Sequence, residues 1–207
     1  MKFYLSSYGL GNDIEKLKAL IPHKKIGYIA NARDYSNPDV EHRKSSVARD
    51  VASLENLGIE VEEIDLKNYF NNKYELKKKI EELGAVFISG GNVFVLRQAM
   101  KLSGLDEILK ELKNNNTDFL YAGYSAAGCV LAPSLRAFPI VDNSEDHPYE
   151  EFDETIWEGL GFIDFAFMPH YKSNHPESAD VDKEIEFCEH NNIPYKTVRD
   201  GEVIVID

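Results

Sequence analysis

Residues 119–131 read Phe-Leu-Tyr-Ala-Gly-Tyr-Ser-Ala-Ala-Gly-Cys-Val-Leu. The stretch opens as an apolar, aromatic run of the kind that forms a buried strand. It then reaches Gly123, Ser125 and Gly128 among small residues and continues as a helix-compatible segment. Strand, sharp turn and helix, with a serine at the tip, make the form of a nucleophile elbow. Small neighbours suit it because the turn brings the strand and helix backbones together. The start of the helix leaves N–H groups free beside the serine, where an oxyanion would develop. The spacing departs from G-x-S-x-G, because Ala127 stands where the second glycine is expected and Gly128 comes one place later. The competing reading is an ordinary strand–helix turn whose serine caps the helix.

Working outward, strands are predicted over 2–7, 25–30, 59–64 and 85–88, and helices over 13–20, 40–57, 74–83, 93–103 and 105–112. A polar loop is predicted over 31–38. Gly58 and Gly84 follow helical runs and read as stops. This alternation predicts an α/β fold with a mainly parallel central sheet and helices on both faces. Neither a linker nor a repeat divides the chain, so 1–207 reads as one domain. The run 85–88 is wholly apolar, as in a buried parallel strand, and it opens into Ser89-Gly90-Gly91-Asn92. Bare backbone at a strand's carboxyl end is where open α/β sheets place ligands. After the elbow, 132–149 reads as an irregular excursion punctuated by Pro133, Pro139 and Pro148. A strand over 161–168 delivers Pro169-His170-Tyr171, and an acidic helix follows over 179–191. Two short strands, 194–199 and 202–206, flank Asp200-Gly201 and predict a closing hairpin.

The 207 residues carry a net charge of −13, which argues against a nucleic-acid partner and against an anionic membrane surface. No apolar run is long enough to span a bilayer, and the first residues do not form a signal peptide. The two cysteines, Cys129 and Cys188, make neither a disulfide framework nor a zinc site. The expectation is a cytoplasmic protein without metal or cofactor.

A serine hydroxyl needs a base within hydrogen-bond reach, and the base needs an orienting acid. Of six histidines, His170 alone directly follows a predicted buried strand. For the acid, Asp200 in the turn before Gly201 is favoured, with Glu202, Asp142 and Glu177 as competitors.

These motifs together resemble the dipeptidase E (aspartyl dipeptidase) family of serine peptidases, to which cyanophycinases are related. The resemblance rests on Ser89-Gly90-Gly91-Asn92 with Phe94 and Leu96, on Gly123-Tyr124-Ser125-Ala126, on Pro139-Ile140-Val141-Asp142 and on Pro169-His170-Tyr171. It implies a fold akin to class I glutamine amidotransferases and a Ser125–His170–Asp200 triad. It further implies oxyanion N–H groups from Gly91 and Ala126. Small peptides are the implied substrates, and a homodimer is an open expectation. Residues 172–182 lack the arginine with which aspartyl dipeptidases hold the substrate's aspartate. Lys172 and Arg136 are the substitutes, and Asn92 is a further substrate-binding candidate. Two alternatives stand beside the peptidase: an amidotransferase-like or esterase-like hydrolase using His175-Pro176-Glu177, and a catalytically silent binding protein on the same fold.

Overall fold

A computed structural model describes residues 1–37 and 39–207; Pro38, the end of the expected polar loop, lies outside the described residues. The first half alternates strand and helix: β1 Lys2–Ser6, α1 Ile14–Leu20, β2 Lys25–Ile29, α2 Val40–Glu55, β3 Glu60–Glu63, α3 Lys73–Leu83 and β4 Ala85–Ile88. There follow α4 Val93–Ser103, α5 Leu105–Asn114, β5 Leu120–Tyr124 and α6 Ala126–Cys129. The last elements are β6 Ala166–Met168, α7 Ser178–His190, β7 Tyr195–Thr197 and β8 Val203–Ile206.

The main sheet runs β3-β2-β4-β5-β1-β8, with every neighbour parallel except β8, which lies antiparallel on β1. Side chains alternate across it as the period of a strand requires. Tyr4, Phe87, Ala122 and Tyr124 face a core completed by Leu17 of α1 and by Val47 and Leu54 of α2. Phe3, Leu5, Val86, Ile88 and Tyr121 face the opposite core, filled from α3, α4, α5 and α7. Helices therefore cover both faces, as the alternation predicted. The central strands β4 and β5 are buried along their whole length. Edge strand β3 is half-exposed, and Lys25 pairs with its Glu60 and Glu62 at 3.3 Å. Among the described residues no helix is long and apolar enough to cross a membrane.

Three local expectations change. The segment 31–34, read as a polar loop, is buried and contains a 3-10 turn, Asn31–Arg33. The strand expected over 161–168 is confined to β6. Gly161 has φ +64°, and the N–H groups of Leu160, Phe162 and Ile163 donate to carbonyls of Val130 and Leu131 instead of to a neighbouring strand. The closing hairpin does not form. β7 pairs in parallel with β6, whereas β8 crosses over to β1. A local Asp-Gly turn permits a hairpin, but the free edge of β1 and the exposed edge of β6 compete for the two strands and win.

Candidate active site

Ser125 follows β5 directly, with φ +51° and ψ −112°. A non-glycine residue there is strained, and such strain collects at functional sites. Its side chain makes no capping hydrogen bond to α6, so the helix-cap reading fails. The displaced glycine of the elbow is explained by what surrounds it. A Cβ on Gly123 would lie 2.6 Å from the Ala127 methyl and 2.4 Å from the Ile88 carbonyl oxygen. A Cβ on Gly128 would lie 2.5 Å from the Phe167 ring. Gly123 makes the room that lets Ala127 sit against the strand, and Gly128 is required by Phe167. α6 has only four residues, so its dipole is weak and the local N–H groups matter more.

The parallel pairing of β6 with β7 brings the next two groups together. Beyond the strands, Val198 N–H donates to Met168 C=O at 2.9 Å and Tyr171 N–H to Val198 C=O at 3.2 Å. This extension sets His170 beside Asp200. His170 is 2% exposed and its Nδ1 lies 2.7 Å from Asp200 Oδ1. Ser7 Oγ donates to the same carboxylate oxygen at 2.7 Å and accepts the His170 backbone N–H at 2.7 Å. Asp200 N–H is itself held, at 2.8 Å, by Ser173 Oγ. His170 has φ +59°, so it shares with Ser125 a positive φ that non-glycine residues rarely adopt. Burial lowers the pKa of His170 below the ordinary histidine value, the Asp200 hydrogen bond opposes this, and the charge of neighbouring His175 adds to the lowering. The net lowering favours the neutral imidazole, which with Nδ1–H on Asp200 leaves Nε2 to take a proton.

Ser125 and His170 line one cleft of about 320 Å3, together with Gly90, Gly91, Arg33 and Arg49. Among the described residues no hydrogen bond joins Ser125 Oγ to His170. The glycine loop lies directly against the serine, since a Cβ on Gly90 would come 3.1 Å from Ser125 Cβ. Gly91 has φ +146°, and a Cβ on it would meet the Ala32 carbonyl oxygen at 2.3 Å. Neither Gly91 N–H nor Ala126 N–H finds a backbone acceptor among the described residues.

A family model, that of peptidase family S51, matches residues 13–207. The chain belongs to peptidase family S51. It is 29% identical over 159 residues to an uncharacterized peptidase of Listeria innocua, which covers 73% of this chain and 72% of that one. It is 34% identical over 128 residues to a peptidase E of Streptomyces coelicolor, covering 59% and 49%, and 30% identical over 122 residues to an uncharacterized peptidase of Listeria monocytogenes, covering 58% and 55%. The matched stretch thus spans about half the length of two of these relatives. A crystal structure of a candidate peptidase E of L. monocytogenes superposes with a TM-score of 0.74 at 23% identity, covering 99% of this chain and 97% of that one. At that identity the likeness is one of fold.

The three expected substrate-binding residues of this S51 chain stand outside the cleft. Asn92 is spent on structure. Its Oδ1 accepts from Phe94 and Val95 N–H at 2.8 and 3.2 Å, capping α4, and its Nδ2 donates to Asn143 C=O at 2.8 Å. The Arg136 guanidinium lies 4.7 Å over the Trp157 ring, and Lys172 Nζ lies 4.8 Å over the Tyr171 ring. The arginines that do line the cleft are Arg33, after β2, and Arg49, on α2. Arg33 Nη2 donates to Tyr124 OH at 2.9 Å, and Tyr124 OH donates in turn to the buried carboxylate of Asp50 at 2.7 Å. Arg49 bonds the other oxygen of Asp50 at 3.2 Å. Arg33 Nε is buried without an acceptor. The position of Arg33 was detectable, since Asn31-Ala32-Arg33 follows a strand of the same parallel sheet as Ser89–Asn92. Arg49 sits within a helix, and no local signal marks it.

The acids that competed with Asp200 are placed differently. Glu202 accepts the Arg199 N–H at 2.8 Å. Asp142 lines the cleft and accepts the Val93 N–H at 2.8 Å, and burial raises its pKa. Glu177 lies on the Nε2 side of His170, opposite Asp200.

Proposed function

We propose that this S51 chain is a serine exopeptidase acting on small peptides, with Ser125 as nucleophile, His170 as general base and Asp200 as its orienting acid. The observation that carries the reading is the His170–Asp200 pair at 2.7 Å, facing the same cleft as a strained, uncapped serine. His170 Nε2 takes the hydroxyl proton as Ser125 Oγ attacks the scissile carbonyl, and Asp200 supports the imidazolium. Gly91 and Ala126 N–H groups receive the oxyanion. His170 then protonates the leaving amine, and water releases the acyl group.

Arg33 and Arg49 take the place first given to Lys172 and Arg136. Arg33 and Arg49 set two guanidinium groups on the cleft lining, so peptides carrying an acidic side chain near the scissile bond are the favoured class. The volume of the cleft suits a ligand of a few residues, not a folded chain.

The test is turnover of a dipeptide panel, Asp-X included, by wild type and Ser125→Ala. The variant is expected to lose kcat on the order of a million-fold, as removal of such a nucleophile does in subtilisin. A fluorophosphonate should label wild type and not the variant. Full turnover by Ser125→Ala would refute the mechanism, and unlabelled wild type that cleaves no peptide would favour a silent binding protein.

A further inference from the structure

We propose that the cleft also holds a transition-metal site, made by His170, His175 and Glu177, and that its occupancy by Zn2+ switches the peptidase off. The inhibitory half rests on His170 acting as the base, whereas the binding half does not.

One potential ligand atom from each of the three residues lies within 4.8 Å of the other two. Glu177 Oε2 stands 3.8 Å from His170 Nε2 and 3.8 Å from His175 Nδ1. The two imidazoles lie nearly parallel, 3.7 Å between centroids and 8° between planes. Zinc bonds of 2.0–2.1 Å in a tetrahedron put ligand atoms about 3.4 Å apart. The Glu177 oxygen is near that spacing from each histidine, and seating the ion also turns the His175 ring out of the stack, releasing the Glu177 N–H that donates to its Nδ1 at 3.3 Å. The movement is available, because the Glu177 side chain is 43% exposed and His175 stands in the loop before α7. Two imidazoles and a carboxylate are a zinc ligand set, and all three residues line the cleft shared with Ser125. The far nitrogen of His170 already bonds Asp200 at 2.7 Å, the carboxylate–histidine arrangement that orients metal ligands. Among the described residues no lysine or arginine pairs with Glu177, although two imidazoles stand equally close to its carboxylate.

Inhibition follows from one atom with two uses. His170 Nε2 cannot coordinate a cation and accept the Ser125 proton at once.

The experiment titrates the metal-free protein with Co2+, read by the visible absorption of the bound ion, and with Zn2+, read by competition with a chromophoric chelator. Turnover is measured in parallel. One equivalent is expected to bind, and Zn2+ is expected to inhibit with the affinity it shows in direct binding. His175→Ala should weaken both by at least about tenfold, the lower end of what losing even an outer partner of a ligand costs, with inhibition read against the variant's own metal-free turnover. Glu177→Gln should weaken binding in the same direction. Wild type that binds no equivalent, or binding left intact by both variants, overturns the site. Binding through His175 that leaves turnover unchanged or raises it overturns the switch. A protein that binds Zn2+ through His175 but cleaves no peptide supports the site and counts against the peptidase.

Discussion

Ser125 illustrates how activity is set against stability at one residue. Its φ of +51° places the side chain at the tip of the elbow, at a cost of order 1–3 kcal/mol. Glycine accepts that backbone freely but loses about 0.5–1 kcal/mol more in chain entropy. Ser125→Gly should therefore unfold at higher denaturant than Ser125→Ala, by about 1 kcal/mol in net stability, while both lack activity. Equal midpoints would show that the elbow stores no strain. Arg33 gives a second residue-scale prediction. Arg33→Lys keeps the charge but removes Nε and the fork that holds Tyr124. Its KM for dipeptides with an acidic side chain should rise about tenfold relative to those with neutral side chains, a difference near 1.4 kcal/mol. A KM that moves equally for both classes would place the substrate carboxylate elsewhere.

At the scale of elements, the site is assembled where loops after parallel strands meet. The β4–α4 loop is clamped to the β2 loop, since Asn92 N–H donates to Ala32 C=O at 2.8 Å and Gly91 leaves no room for a Cβ above the same carbonyl. Gly91→Ala should push the loop off Ala32 and move its donor away from Ser125. Loss of one oxyanion donor costs about 10²–10³ in kcat, and the strained backbone costs about 1–3 kcal/mol of stability. Unchanged kcat on a folded Gly91→Ala protein would remove Gly91 from the mechanism. This geometry also explains what the sequence made legible. The elbow, the glycine loop and Pro169-His170 each lie in a contiguous run whose strand and turn chemistry can be read locally. The pairing of β7 with β6 is a choice between sheet edges distant in the chain, and an Asp-Gly turn says nothing about it. The same holds for Arg49, which reaches the cleft only because α2 packs Val47 and Leu54 against the sheet, and for Asn92, whose amide is consumed by a loop 51 residues away.

Across the whole molecule, the irregular excursion after α6 is held to the sheet layers by buried polar contacts, and one of them titrates. Glu184 of α7 is 2% exposed, and its Oε1 accepts the Val141 N–H at 3.0 Å, beside the Asp142 that lines the cleft. Burial pushes its pKa up to about 8, the Val141 N–H opposes this, and the nearby carboxylates of Asp142 and Glu177 add to the rise. An unfolded chain releases this proton near 4.5, whereas the folded chain keeps it to about 8. Between those values the folded state binds more protons, so the contribution of Glu184 is complete at low pH and is lost as pH rises through about 8. The slope from one such group is at most about 1.4 kcal/mol per pH unit. Glu184→Gln keeps an oxygen for the Val141 N–H and removes the titration. Urea unfolding followed from about pH 5 to about pH 9 should show the wild type losing stability relative to this variant as pH rises. All other titrating groups are common to the two proteins, so the difference isolates Glu184 to the extent that its neighbours are unmoved. Parallel curves would mean that the carboxyl is already ionised in the folded protein, and that the excursion is joined to α7 through a charged hydrogen bond rather than a neutral one.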